Sequence, residues 1–310
     1  MKRFARAGIV VAAMLATGAF AQSWPSRPIR LTIPTSPGSS QDMVARVVAS
    51  KLAESLGQPV VAETRAGANG FIGAEYVARA APDGYNLMIN TSSSLVIPYF
   101  VTAKLPFDPR RDFTPITAAV ESLTVMAVHP SVPAQSVKEL VEHIRRNPGK
   151  LSYSSPGVAS LFHLMGALFQ NLSAPAVHVP YKGAAPAVTA AEAGEVQFLF
   201  TATNNVIPLH KAGKLRALAV MGNTRFPALT GVPAMSEAYP AMANVPGWFA
   251  FFGPAALPAP IIARLHADIV KALQGPEVRA KFEAGGLRII ANTPEEFAVQ
   301  YAQTFDLMGA

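Results

Sequence analysis

The chain carries the stretch RLTIPTSPGSSQD at residues 30–42. It opens with a β-branched and leucine run that ends at Ile33 and predicts a strand, and the prolines that follow lack the amide donor that a sheet needs. Ser39 and Asp42 then match a capping box, and an apolar helical rhythm continues over residues 44–56. A strand, a glycine-containing turn and a helix N-terminus together form a cradle for an anion, because unpaired N–H groups and the positive end of the helix dipole point at one place. The alternative is a plain connection between a strand and a helix.

A second stretch, LSYSSPGVAS at residues 151–160, repeats this pattern. Each copy has a strand, the tripeptide Ser-Pro-Gly and a small polar residue near a helix start. Ligands of parallel α/β sheets bind at the carboxyl ends of strands, so two such cradles facing each other would close on one small anion. Chance could repeat a tripeptide in a chain with 27 prolines and 22 glycines. The matching strand–turn–helix setting is what favours a function.

The candidate ligand-binding residues are mostly neutral donors that follow predicted strands. They are Thr35, Ser36, Gly38, Ser39, Thr91, Ser92, Ser155, Gly157, Ser160, His163, Tyr181, Lys182 and Thr201. Helix N-termini can hold a carboxylate without a buried arginine. Ordinary turn chemistry is the alternative for each residue: Ser39 could contact ligand or only cap its helix, and Lys182 could be a solvated loop charge. Asp42 is assigned as a helix cap.

The alternation of strands and helices runs through the first hundred residues and restarts near residue 150. This order predicts parallel sheets covered by helices, in two lobes. The proline-rich residues 105–118 are expected to be irregular. Crossings are expected near residues 119–123 and 243–248, so lobe 1 comprises residues 22–122 and 246–310, and lobe 2 comprises residues 123–245.

Residues 1–21 have the pattern of a secretory signal peptide. Lys2, Arg3 and Arg6 form its basic start, an apolar run follows, and residues 19–21 read Ala-Phe-Ala, which predicts cleavage after Ala21. An uncleaved membrane anchor is the weaker alternative because the apolar run is short. The sequence therefore predicts an exported protein.

Composition and missing motifs exclude several classes of function. The formal net charge is +7 and falls to about +4 without the signal, and no basic stripe with interleaved aromatic residues predicts nucleic-acid binding. The chain contains no cysteine. It lacks H-E-x-x-H, G-x-S-x-G and Walker A motifs, and its histidines have no metal-ligand spacing. No catalytic residue, metal ligand or cofactor is assigned, although a Ser–His–Asp triad assembled from distant residues stays open.

Several motifs, in order, carry a resemblance to a known family. They are P-x-x-P-G-x-x-x-D-x-x-A-R at 34–46, I-G-A-E at 72–75, A-P-D-G-Y at 81–85, H-V-P-Y-K-G at 178–183, K-A-G-K-L-R-A-L-A-V at 211–220 and T-P-E-E-F at 293–297. The chain resembles the Bug family of periplasmic solute receptors, which serve tripartite tricarboxylate transporters. The resemblance implies a type II periplasmic-binding-protein fold with two α/β lobes, a two-crossing hinge and a carboxylate held by loops 35–39 and 154–160. It also implies a periplasmic protein with integral-membrane permease subunits as partners, and the protein is expected to be a monomer.

The chain departs from the family pattern at two of these loops. A Gly-Gly pair is replaced by Gly38 and Ser39, and an Asp-Asn pair by Thr201 and Ala202, so Ala202 joins the candidate binding residues. Loss of that acid weakens the case for an ammonium-bearing ligand. The favoured hypothesis is a non-catalytic receptor for a small mono- or dicarboxylate. The alternatives are a sensor subunit that presents its ligand to a membrane signalling receptor, and a secreted hydrolase that needs Ser36 and Ser155.

Overall fold

The computed structural model describes residues 24–35, 37–158, 160–242 and 247–309. The predicted signal peptide, Ser36 and most of the second expected crossing lie outside the described residues. Among the residues described, no helix combines the length and the apolar character needed to cross a membrane.

The described strands form two sheets. The strands are β1 (Ile29–Ile33), β2 (Val60–Thr64), β3 (Asn86–Thr91), β4 (Phe113–Ser122), β5 (Thr124–Val128), β6 (Ser152–Ser155), β7 (Val177–Pro180), β8 (Phe198–Ala202), β9 (Arg216–Val220), β10 (Trp248–Pro254) and β11 (Leu287–Ile289). The first sheet has the order β11-β4-β10-β3-β1-β2, and the second has the order β7-β6-β8-β5-β9.

The sheets are mixed, whereas the sequence predicted parallel ones. β1 pairs in parallel with β2 and β3, and β6 pairs in parallel with β7 and β8. β10 is antiparallel to both β3 and β4, and β5 is antiparallel to both β8 and β9. β5 and β10 are the first strands after the chain passes from one sheet to the other and back, so they enter their sheets from the opposite end, and β11 is likewise antiparallel to β4.

Helices cover both faces of each sheet. The described helices are α1 (Ser40–Leu56), α2 (Phe71–Ala78), α3 (Ser92–Leu95), α4 (Ile97–Val101), α5 (Val137–Arg146), α6 (Leu161–Leu172), α7 (Ala184–Glu192), α8 (Thr203–Lys211), α9 (Ala259–Gln274), α10 (Pro276–Ala284) and α11 (Pro294–Gly309). In the first sheet, Leu87 and Ile89 of β3 pack towards α1 and α9, and Met88 between them packs towards α2 and α11. Successive strand residues face opposite sides, so a strand covered on both sides is apolar throughout.

The expected irregular stretch at 105–118 is wrong in its second half. β4 begins at Phe113 and continues through Pro115. Here β4 pairs with β10 alone, because β11 reaches only residues 120–122 of β4. A strand that is free on one side tolerates a residue without an amide donor.

The first crossing consists of a single residue. Leu123 lies between β4 of the first sheet and β5 of the second, and its N–H donates to the carbonyl of Gly286 at 3.2 Å. The N–H of Thr203 donates to the carbonyl of Leu123 at 2.9 Å. A Cβ on Gly286 would lie 2.1 Å from Oγ1 of Thr203, so only glycine fits this approach. Three distant parts of the chain are therefore joined where the two sheets meet.

Candidate functional site

The carboxyl ends of β1 and β3 lie at the edge of the first sheet that faces the crossing. Thr91, the last residue of β3, pairs with Phe249 of β10, and the neighbouring Trp248 pairs with Glu121 of β4. Phe249 also pairs with Val120, so the end of β3 is level with a residue of β4 that lies three positions before Leu123. Because β1 is parallel to β3, the first predicted cradle leaves the sheet at this same edge.

The second sheet presents its corresponding edge to the same crossing. Ala202, at the end of β8, pairs with Thr124 at the start of β5. β6 and β7 run parallel to each other, and β6 runs parallel to β8, so all three end on this side. The two predicted cradles therefore lie on the two sheet edges that flank Leu123.

In the first cradle, the capping interactions use both predicted residues. Oγ of Ser39 accepts the Asp42 N–H at 3.1 Å, and Ser39 is the N-cap of α1. The Asp42 carboxylate accepts the Gly38 N–H at 3.0 Å and Nε of Arg46 at 2.8 Å. The Gly38 amide would have to leave Asp42 before it could donate to a ligand.

A glycine-containing segment at residues 65–73 supports this cradle. A Cβ on Gly70 would lie 3.1 Å from the Pro34 carbonyl oxygen, and one on Gly73 would lie 2.9 Å from Cβ of Pro34. The guanidinium carbon of Arg65 lies 3.8 Å from the centre of the Tyr76 ring, which holds the start of the segment in place. The two glycines thus let the backbone of this segment pack directly against the turn.

The hydroxyl groups after β3 mostly bind each other. Thr91 is the N-cap of α3, and its Oγ1 lies 3.0 Å from Oγ of Ser93 and 2.8 Å from Oγ of Ser94. Thr91 and Ser92 are both buried. Thr35, on the neighbouring turn, is half-buried.

In the second cradle, Ser155 braces the loop from within. Its fully buried Oγ donates to the Gly157 carbonyl at 2.9 Å, accepts the Gly157 N–H at 3.2 Å and lies 2.7 Å from Nε2 of His178. Ser160 is the N-cap of α6, and its Oγ accepts the His163 N–H at 3.2 Å. Because Oγ of Ser155 is buried and bonded within the loop, this geometry does not favour it as a hydrolase nucleophile.

His178 belongs to this cradle, although the sequence did not predict it as a site residue. Its ring stacks on Tyr153 at 4.9 Å and on His163 at 4.0 Å between ring centres. Burial lowers the pKa of His178, and His163 lowers that pKa further. His178 begins the H-V-P-Y-K-G motif, which could have marked it as a site residue. Its contact with Ser155, however, depends on the pairing of β6 with β7.

The remaining candidates differ in their exposure. Lys182 is exposed, and the hydroxyl of Tyr181 lies 3.5 Å from a carboxylate oxygen of Glu195. Thr201 is buried within β8, where its Oγ1 accepts Nδ2 of Asn205 at 3.0 Å, and Ala202 ends the same strand instead of following it. Over the described ranges, no group of three or more His, Asp or Glu residues could hold a metal ion.

Comparison with known proteins identifies the family. Residues 44–305 match the model of the Tripartite tricarboxylate transporter family receptor. The chain belongs to this family. It is 35% identical over 282 residues to a UPF0065 protein of Pseudomonas sp. strain P51, covering 89% of this chain and 82% of the relative. It is 34% identical over 293 residues to BugT of Bordetella pertussis, covering 93% of this chain and 90% of the relative.

Solved structures of similar proteins agree with this membership. A periplasmic transporter superposes with a TM-score of 0.81 at 39% identity, over 92% of this chain and 96% of its own. An R. palustris protein with adipate gives 0.80 at 29% identity, over 92% and 98% of the two chains. MatC from Rhodopseudomonas palustris with bound malate gives 0.78 at 27% identity, over 92% and 100%. The predicted Bug-family membership and α/β periplasmic-binding-protein fold are confirmed, and the protein is a solute-binding receptor of this family.

Proposed function

We propose that this receptor binds a small mono- or dicarboxylate between its two lobes and delivers it to the integral-membrane permease of a tripartite tricarboxylate-type transporter. The observation that carries the proposal is the placement of two serine-capped helices, α1 and α6, on the sheet edges that flank Leu123. The similar proteins solved with adipate and with malate support the same ligand class.

The physical basis is the field at the two helix N-termini. The first turn of a helix has N–H groups without partners inside the helix, and the aligned peptide dipoles add a partial positive charge there. Ser39 and Ser160 satisfy one such N–H each, at Asp42 and His163. The other first-turn donors, together with turn hydroxyls, are suited to an anion that has several acceptor oxygens.

Binding would be linked to movement of the lobes. A ligand can close the receptor only if it binds the closed state more tightly than the open one, and contacts from both cradles would provide that difference. We assign residues 22–122 and 246–310 to one lobe and residues 123–245 to the other. The same proposal includes export with cleavage after Ala21, function as a monomer and the absence of catalytic activity.

Thermal unfolding against a panel of small acids tests the ligand class. The panel contains malate, adipate, several monocarboxylates and an amino acid, and the matched controls are amides in which each carboxylate is replaced. An acid present at about 100 times its Kd should stabilise the ligand-free protein by about 2.7 kcal/mol, whereas its amide should not. Calorimetry then gives the affinity. Stabilisation by none of the acids, or equal stabilisation by acid and amide, would contradict the proposal.

A further inference from the structure

A column of four stacked rings leads from the core of the second lobe to its cradle. Phe198 of β8 lies 5.3 Å from Tyr153 of β6, and the column continues through His178 of β7 to His163 of α6, with a final spacing of 4.0 Å between ring centres. His163 lies three residues after Ser160, the N-cap of α6. The outer end of the column therefore stands in the first helical turn behind the predicted anion site.

The stacking of the two histidines at the end of the column disfavours a charge on His178. Their rings are nearly parallel, at 19°, and two imidazolium ions stacked so closely would repel strongly. Burial is the main cause that lowers the pKa of His178, and His163 is the second.

The other groups around His178 do not offset this repulsion. β6 contributes Tyr153, and α6 contributes His163, as the titratable side chains stacked on the pair. Beyond the end of β7, Lys182 is exposed to solvent, and Glu195 lies beside the Tyr181 hydroxyl. The two influences on His178 are burial and a second histidine, and neither favours a proton.

We propose that the His163–His178 pair is the proton-binding part of the ligand site and takes up one proton when a dicarboxylate binds. The inference rests on the proposed function, since the incoming carboxylate supplies the negative charge that the empty site lacks. The proton comes from solvent and is retained by one imidazole nitrogen of the pair. The protonated pair should therefore increase the affinity most for a dianion, and it should not increase the affinity for an uncharged amide.

The two histidines have different roles in this site. His163 lies in the first turn of α6, so it is the member of the pair on the helix whose N-terminus forms the proposed anion site. His178 is a positioning residue, because its Nε2 lies 2.7 Å from Oγ of Ser155, which in turn binds both the N–H and the carbonyl of Gly157. Protonation of the pair is therefore connected directly to the loop that forms the cradle.

The affinity should depend on pH with a definite sign. Because the bound state holds more protons than the empty state, affinity rises as pH falls from about 8 towards 6. Uptake of half a proton to one proton corresponds to about three- to tenfold tighter binding per pH unit. The trend reverses only when the ligand carboxylates themselves become protonated, near pH 4.

Calorimetry of the mature protein with malate and with adipate measures the proton directly. Titrations at pH 6.5 in buffers of different ionisation enthalpy should show uptake of about half a proton to one proton per ligand. His163→Gln should abolish the proton uptake and the pH dependence of the affinity. His178→Gln, which keeps an amide donor near Ser155, should also lose the uptake. His143→Gln, in the last turn of α5, is the matched control and should behave as the wild type.

The possible failures can be told apart. Binding without proton uptake, or uptake that persists in His163→Gln, overturns the inference and leaves the proposed function intact. If no acid binds, the proposed function fails, and nuclear magnetic resonance titration of the two imidazoles still decides the coupling. Two independent titrations at or above about pH 6.5 would show that the histidines do not act as a pair.

Discussion

Gly166 allows the ring column to form, because any side chain at this position would strike Tyr153. It lies in α6 facing Tyr153, and a Cβ at this position would lie 2.1 Å from Cε2 and 2.5 Å from Cζ of that ring. Tyr153 is fully buried between Phe198 and His178, so its ring has no space into which to withdraw. The absence of one side chain thus allows α6 to approach β6 closely enough for His163 to stack on His178.

Gly166→Ala should therefore lower the free energy of unfolding by about 1–3 kcal/mol, as overpacking does in a close-packed core. Urea unfolding followed by circular dichroism measures the loss. The penalty should shrink when Tyr153→Leu is present, because the atoms that the new methyl group strikes are gone. Asn171→Ala, at an exposed position of the same helix, should change stability by no more than about 0.5 kcal/mol. A Gly166→Ala protein as stable as the wild type would contradict the packing described.

At the scale of one element, Ser39 and Asp42 stabilise the N-terminus of α1 through different hydrogen bonds. Ser39 accepts the Asp42 N–H, and Asp42 accepts the Gly38 N–H and is paired with Arg46. The side chain of Asp42 is only 8% exposed, so its carboxylate is held inside the turn and not presented to solvent. These bonds join the turn at residues 38–39 to the first turn of α1.

Ser39→Ala should lower the free energy of unfolding by about 1 kcal/mol, and Ser39→Gly by only a few tenths, because capping is the role that the hydroxyl has in this structure. Ser136→Ala is the matched control. Ser136 caps α5 by accepting the Glu139 N–H at 3.2 Å, and α5 follows the end of β5 that points away from Leu123. Urea unfolding gives the stabilities, and calorimetry gives the affinities.

Ligand affinity separates the two roles that the sequence left open for Ser39. If the hydroxyl only caps, Ser39→Gly should bind the ligand within about twofold of the wild type, a difference of about 0.4 kcal/mol. A loss of about tenfold in Ser39→Gly, with none in Ser136→Ala, would instead assign a ligand contact to the hydroxyl.

Elements fixed by neighbouring residues were predicted well from the sequence. The cap at Ser39 joins a side chain to a backbone N–H three residues later, so a short stretch contains the whole interaction. The repeated turn at residues 155–157 is local in the same sense. The Bug-family motifs then supplied the overall fold, which separate local patterns could not.

Features that depend on pairing between distant strands were missed. Ser155 and His178 are 23 residues apart, and they meet because Ser155 is in register with Pro180 across β6 and β7. β4 runs through Pro115 for a similar reason, since the partner it lacks there is β11, more than 160 residues later in the chain. No pattern within a window of sequence contains either relationship.

On the scale of the whole molecule, the two cradles lie on one side of Leu123 and a groove lies on the other. The cradles lie on the side of β1, β3 and β6, whereas β11 and β9 flank the other side. A groove of about 570 Å³ lies there, between the 224–228 segment after β9 and residues of α10 and β11. Arg288 of β11 spans it, since its Nη1 donates to Oγ1 of Thr224 at 2.8 Å.

Closure about this crossing should shorten the distance between the two cradles and widen the groove on the opposite side of Leu123. The chain has no native cysteine, so pairs of introduced cysteines can carry spin labels at defined positions. Ile72→Cys with Leu168→Cys reports on the cradle side, at side chains that are 53% and 47% exposed, and Ala228→Cys with Ala280→Cys reports across the groove. With saturating acid, the first distance should shorten by more than about 2 Å, as in other hinge closures, and the second should lengthen.

The pair Leu168→Cys with Ala228→Cys is the control for these distances, because both positions lie in the proposed second lobe and their separation should stay constant. Distances measured by pulsed electron paramagnetic resonance distinguish the outcomes. A rigid rotation about Leu123 requires opposite changes on its two sides, since the crossing is the pivot between them. Shortening of both distances would mean that the lobes translate or repack, and unchanged distances with bound acid would mean that the site forms without closure.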